Sequence, residues 1–154
     1  EAHLRPVLDR GLQVVDRAGQ VHRVAVDVAN DIPLIMADRN QVKQALFNVM
    51  KNALEAMDRG GEIFIHLEAD DEWVVLSVKD TGVGIPADKL TRVFDAYYTT
   101  KASGGGLGML ILLRILRAHG GTVDIQSTPN IGTTVTLRFP LKHRRVKTLD
   151  APRA

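Results

Sequence analysis

The chain has 154 residues, a formal net charge of +2 and no cysteine. That length suits one domain with its own core, the missing thiol excludes disulfides, thiolate catalysis and cysteine metal sites, and no apolar run approaches the roughly 20 residues that span a bilayer. Much of the positive excess sits in the tail Lys142-His143-Arg144-Arg145-Val146-Lys147, which argues against a basic face for nucleic acid.

Leu4 to Ala18 places Leu4, Val7, Leu8, Leu12, Val14 and Val15 at helical spacings, with Pro6 in the first turn and Gly11 weakening the run. His22 to Ala29 alternates, with Val24, Val26 and Val28 on one side, and reads as a half-buried strand. Asn30-Asp31-Ile32-Pro33 is a turn signal. Asp38 to Met57 is the dominant stretch. Asp38 is an N-cap candidate, and Val42, Ala45, Leu46, Val49, Met50, Ala53, Leu54 and Met57 form one buried stripe. Asn48, Asn52 and Glu55 fall together, away from that stripe. Two amides one turn apart beside a carboxylate can hold a hydrated Mg²⁺ against phosphate oxygens. A solvated helix face is the plainer reading of those three residues alone.

Arg59-Gly60-Gly61 ends this helix. Glu62 to Ala69 and Glu72 to Lys79 alternate around Asp70-Asp71 and read as a hairpin, with Trp73 packing against a helix. Asp80 to Pro86 is a glycine-rich loop, and Ala87 to Phe94 a short helix. Ala96 to Gly106 lacks periodicity and reads as a mobile loop. Leu107 to His119 is a second helix that buries Leu107, Leu110, Ile111, Ile115 and Leu116. Gly120-Gly121 stops it. Thr122 to Ser127 and Thr133 to Phe139 are the last two strands. The expected fold is a two-layer α/β sandwich, with helices on one face of a mixed sheet. The domain is expected over residues 1–141, with a basic, disordered tail at 142–154.

Four segments point to one ligand class. They are the Asn48/Asn52/Glu55 face, the loop Asp80-Thr81-Gly82-Val83-Gly84-Ile85-Pro86, the run Gly104-Gly105-Gly106-Leu107-Gly108 opening into a helix, and Gly132-Thr133-Thr134. An acid at a strand end can accept from an exocyclic amine, and a glycine-rich helix start suits phosphates. Each signal is weak alone. Their order and spacing are specific.

In these segments the chain resembles the catalytic, ATP-binding domain of bacterial two-component sensor histidine kinases, within the wider gyrase, chaperone, kinase and mismatch-repair ATPase superfamily. NVMKNALEAM looks like the family's N box, DTGVGIP and GGGLGM like its two glycine boxes, and FDAYYTTK like the box that opens its ATP lid. The resemblance runs from about Leu4 to Leu141 and implies a Bergerat fold with a mobile lid. It implies Asn52 as the Mg²⁺ ligand, with Asn48 supporting metal and phosphates. It implies Asp80 as acceptor of the adenine amino group, and Gly82 and Gly84 as positions where backbone approaches the base. Ile85 would form an apolar wall, Lys101 would reach the phosphates, and Thr133 would sit near the base. Gly104, Gly106, Leu107 and Gly108 would shape the lid hinge and the phosphate-facing helix start. Glu55 is balanced between general base and solvated charge.

Gly105 stands where the family more often has Thr, Met109 where it has Leu, and Asn130 where it has Gly. The superfamily's hydrolysing members carry a glutamate base at the place of Asn48, so this chain is expected to hold ATP for an incoming nucleophile. That nucleophile would be a histidine on a separate helical-hairpin domain, since His3, His22, His66, His119 and His143 lack a phosphoacceptor context. The implied partners are that hairpin domain of the same protein and a response regulator, without nucleic acid or direct membrane contact. The isolated domain would be a cytoplasmic monomer, and the full-length protein a homodimer that can be membrane-anchored. The other readings are a nucleotide-binding scaffold or pseudokinase without transfer activity, and a serine kinase of the anti-sigma type.

Overall fold

The computed structural model describes residues 12–96, 98–99 and 105–141. Its elements in order are β1 (Leu12–Val15), β2 (Val21–Val28), α1 (Arg39–Glu55), β3 (Gly61–Ala69), β4 (Trp73–Asp80), α2 (Ala87–Leu90), α3 (Gly108–Ala118), β5 (Thr122–Thr128) and β6 (Gly132–Pro140). The strands form one six-stranded sheet in the order β1-β2-β3-β4-β6-β5. Only β2 and β3 pair in parallel, because α1 lies between them in the chain and carries the crossover. The helices pack on one face, so the expected two-layer sandwich is the fold observed.

α1 begins where Asp38 accepts hydrogen bonds from the amides of Asn40 and Gln41, at 2.8 and 3.0 Å. It ends at Ala56, whose N–H reaches back to Asn52 and Ala53. Ala45, Val49 and Ala53 are its buried residues, and the small alanines let it lie close along α3. α3 contributes Leu112, Ile115 and Leu116, and the sheet contributes Ile63, Val78, Val135, Leu137 and Phe139 to the same core. Ile63, Leu112, Leu116 and Leu137 are at or below 1% exposure, and burying each stabilises the fold by about 1.5–3 kcal/mol.

The two long helices lie over β4, β5 and β6. Away from that cover, on β2, Val24 reaches the core, while Val26 and Val28 on the same side are 45% and 54% exposed. The first helix expected from the sequence is not present where it can be seen. Leu12–Val15 is instead an edge strand paired antiparallel with β2, and Leu4 to Gly11 lie outside the described residues. The β-branched Val14 and Val15 suit that pairing, and Asp16 closes the turn by accepting the amides of Ala18 and Gln20. Trp73 alternates with the buried Val74 and so lies on the sheet face that carries no helix, opposite Pro140. Leu107 is the exposed N-cap residue of α3, and the buried stripe runs through Leu112, Ile115 and Leu116 instead of beginning at Leu107. The short helix after the glycine loop covers only Ala87–Leu90, half the expected span.

Candidate functional site

The ends of α1, β4 and β6 and the start of α3 surround a cleft of about 810 Å³. Asn48, Asn52 and Glu55 line it from α1, at the four- and three-residue spacings that stack side chains on one helix face. Asp80, the last residue of β4, is only 5% exposed. Its Oδ1 accepts the amide of Gly82 at 2.8 Å and that of Thr133 at 3.3 Å. The acid is thereby anchored at the point where β4 and β6 meet, since Asp80 and Thr133 are register partners. Thr133 is 8% exposed and lines the same cleft. Val49, Ala53, Val78, Ile125 and Val135 supply apolar wall. The site is thus an apolar slot lined by a buried carboxylate and by the amides of Asn48 and Asn52.

The glycines of the loop after β4 are demanded by backbone crowding. A Cβ on Gly82 would lie 2.6 Å from the carbonyl oxygen of Ala56, at the end of α1. That same carbonyl accepts the Val83 amide at 3.0 Å. Gly84 has a φ of 70°, and a Cβ there would collide with the carbonyl of Thr128. Gly84 lines the cleft and Gly82 does not. Both glycines make room for protein backbone, so the expectation that they clear space for a base is not the reason visible here.

The loop is also tied to the last hairpin. The Val83 carbonyl accepts the Asn130 amide at 2.7 Å, and the Ile85 amide donates to Ser127 Oγ at 2.7 Å. Asn130 sits at a φ of 62°, a left-handed conformation that Asn tolerates better than most residues, which accounts for it standing in a glycine's place.

Gly106, Leu107 and Gly108 line the cleft at the start of α3, and no side chain caps that helix among the described residues. Asn48 Nδ2 donates to the Gly108 carbonyl at 3.2 Å and joins the α1 wall to the α3 wall. A Cβ on Gly105 would meet none of the described residues within 4 Å, so among them the residue more usual there would fit without strain. Met109 lines the cleft and packs against the core. Glu55 stands at the rim, 36% exposed and 3.9 Å from Lys51 Nζ. Arg92 is occupied elsewhere, 4.6 Å above the Tyr98 ring and 3.4 Å from Asp95.

Of the residues singled out in the sequence, Asn48, Asn52, Glu55, Asp80, Gly84, Ile85, Gly106, Leu107, Gly108 and Thr133 meet in this one cleft. Lys101 and Gly104 lie outside the described residues. Ser127 escaped the sequence reading. Its signal was available: in the strand TVDIQST the inward positions run Val123, Ile125, Ser127, and a hydroxyl breaks the apolar series.

Comparison with known proteins identifies the architecture. Residues 37–143 match the family model described as histidine kinase-, DNA gyrase B- and HSP90-like ATPase. The chain is 34% identical over 145 residues to sporulation kinase E of Bacillus subtilis (strain 168), covering 92% of this chain and 20% of that one. It therefore spans about a fifth of that relative's length. Among solved structures, the nucleotide-free catalytic domain of the histidine kinase ThkA superposes with a TM-score of 0.70 at 31% identity, over 78% of this chain and 79% of that one. Full-length ShkA in complex with AMPPNP superposes with a TM-score of 0.69 at 31% identity, over 77% of this chain and 25% of that one. The chain belongs to the histidine kinase-, DNA gyrase B- and HSP90-like ATPase family, as the catalytic ATP-binding domain of a sensor histidine kinase.

Proposed function

We propose that the cleft binds ATP with Mg²⁺ and presents the γ-phosphoryl group to a histidine on a separate helical-hairpin domain of the same protein. The observation that carries this reading is that the buried Asp80 and Thr133 line one apolar-walled cleft together with Asn48 and Asn52. Asp80 accepts the amino group of the base, and the apolar walls with Ile85 enclose the ring. Asn52 offers an amide oxygen to the metal, a hard ligand of the kind Mg²⁺ takes singly while keeping water and phosphate oxygens. Mg²⁺, when bound, offsets phosphate charge during transfer. Asn48 holds the start of α3 toward the phosphates, and Lys101 adds a cation from the lid.

No carboxylate stands at position 48, so the site lacks a placed base for water and holds the nucleotide for a partner's imidazole. Glu55 at the rim is the group placed to take a proton from that imidazole. In the whole protein the domain works on the cytoplasmic side, in a homodimer that can be anchored to a membrane, and feeds a response regulator. By itself it is a monomer without nucleic-acid partners. Among the described residues no helix is long and apolar enough to cross a membrane.

The test is transfer in trans. The domain, γ-labelled ATP and the upstream hairpin of the same protein are mixed, and the product's acid stability is measured. Label on the hairpin that acid removes and alkali spares is phosphohistidine and supports the reading. Acid-stable label on a serine of another protein would replace it with a serine kinase, and tight binding without transfer would replace it with a scaffold.

A further inference from the structure

Ser127 faces Thr133 across the β5–β6 pairing. Its Oγ lies 2.7 Å from the Ile85 amide nitrogen, 3.1 Å from the Gly132 carbonyl oxygen and 2.8 Å from Thr133 Oγ1. A serine hydroxyl has one proton to give and two lone pairs to accept with. The Ile85 amide can only donate, and the Gly132 carbonyl can only accept. One allocation makes all three contacts hydrogen bonds: Ser127 donates to Gly132, and accepts from Ile85 and from Thr133. The Thr133 proton is then committed to Ser127. What Thr133 Oγ1 turns toward the cleft is lone pairs alone. Beside it lies Asp80, bonded to the Thr133 amide through Oδ1 at 3.3 Å.

We infer that Ser127 is a positioning residue for base selection. By taking the Thr133 proton it keeps the Thr133 and Asp80 side of the cleft an accepting surface, which favours a purine with an amino group at its six-position and disfavours one with a keto oxygen there. A Thr133 hydroxyl free to rotate could donate instead, and would accommodate the keto base. The hydrogen bond from Ile85 adds a second consequence. The same hydroxyl fixes the loop that forms the ring's apolar wall, so wall and selector are set together. This inference rests on the reading that a purine nucleotide occupies the cleft.

The experiment compares ADP with IDP, which differ at the six-position, by calorimetric titration with Mg²⁺. Wild type is expected to prefer ADP by about a hundredfold or more, since a keto oxygen would face the Thr133 lone pairs, which cannot donate to it. Ser127→Ala is expected to lower that preference by about five- to tenfold, the worth of one oriented hydrogen bond, and Ser127→Thr to restore it. Thr133→Val removes the selector, and in that background Ser127→Ala should change the preference no further. Should Ser127→Ala not fold, Ser127→Cys keeps the shape, weakens the bonds and is read in the same way. An unchanged ADP preference in a folded Ser127 variant overturns the role of Ser127 alone, as does an equal loss with and without Thr133. A wild-type domain that binds neither nucleotide overturns the ATP reading of the cleft itself.

Discussion

The side-chain amide of Asn48 donates to the backbone carbonyl of Gly108 at 3.2 Å, across 60 residues of sequence. That one bond joins the wall of the cleft that carries the amides to the start of the helix that faces the phosphates. It gives Asn48 a role before any ligand arrives. Replacing Asn48 with Ala should cost about 1 kcal/mol of stability through the lost bond. It should also weaken nucleotide binding, because α3 loses its tether. Thermal melts and calorimetric titration of the same sample separate the two effects.

Gly84 and Gly132 occupy backbone conformations at φ of 70° and 146°. A Cβ at Gly132 would run into the Asp80 carbonyl, as one at Gly84 would into that of Thr128. Either alanine substitution should destabilise the domain by about 2 kcal/mol or more, with nucleotide binding lost in proportion. Gly105→Thr is the contrasting case. Its Cβ meets none of the described residues, so stability should stay within about 0.5 kcal/mol of wild type. Urea denaturation of the three variants checks the order.

His119 ties the far ends of the two long helices. Its Nε2 accepts the Asp38 amide at 3.0 Å, and its Nδ1 donates to the Ile115 carbonyl at 2.7 Å. These two bonds place a ring proton on Nδ1 and a lone pair on Nε2. His119→Ala should lower stability by about 1–2 kcal/mol, since it leaves an amide at the α1 N-cap without its partner. Nucleotide affinity should be unchanged, because the cleft lies at the opposite ends of α1 and α3. A melt that falls while the dissociation constant holds is the expected pair of results.

Among the described residues, His66 on the alkaline side, and Asp16 with Asp70 on the acid side, shape the pH response of stability. Burial pulls the His66 imidazole down, but hydrogen bonds from its ring to Glu68 and Asp27, with their charges, outweigh it and hold its pKa above the ordinary 6.5. A raised histidine contributes stability that is fully present below 6.5 and is lost as pH rises through the folded value. Asp16 behaves oppositely. Its bond to His22, with those from the Gln20 and Ala18 amides, lowers its pKa below 3.8. Its contribution is present above 3.8 and is lost as pH falls through the folded value. Denaturation midpoints should fall at both ends of the scale. His66→Gln should remove the decline on the alkaline side and leave the acid side intact.

Much of this was readable from residue patterns. The stripe on α1, the N-cap at Asp38 and the alternation of β3, β4 and β6 rest on local chemistry that tertiary context did not override. The cleft was legible because its residues cluster in short segments, with Asp80 in one and Thr133 in another. What was not legible depends on pairing between distant strands. Ser127 matters only because β5 places it against Thr133 and the Ile85 amide. The strand at Leu12–Val15 is an edge that β2 templates, and its helical spacing of apolar residues pointed elsewhere. The glycines at 82 and 84 have a second cause that no local pattern carries, the nearby backbone of Ala56 and of Thr128.

The most direct test is calorimetric titration of the domain with a non-hydrolysable ATP analogue and Mg²⁺, in wild type, Asp80→Asn and Asn52→Ala. Wild type should bind between micromolar and sub-millimolar, roughly −5 to −8 kcal/mol. Asp80→Asn should abolish binding while the fold persists, and Asn52→Ala should bind without dependence on Mg²⁺. A folded wild-type domain that takes up no nucleotide, or a folded Asp80→Asn variant that binds as tightly as wild type, would contradict the ATP reading of the cleft.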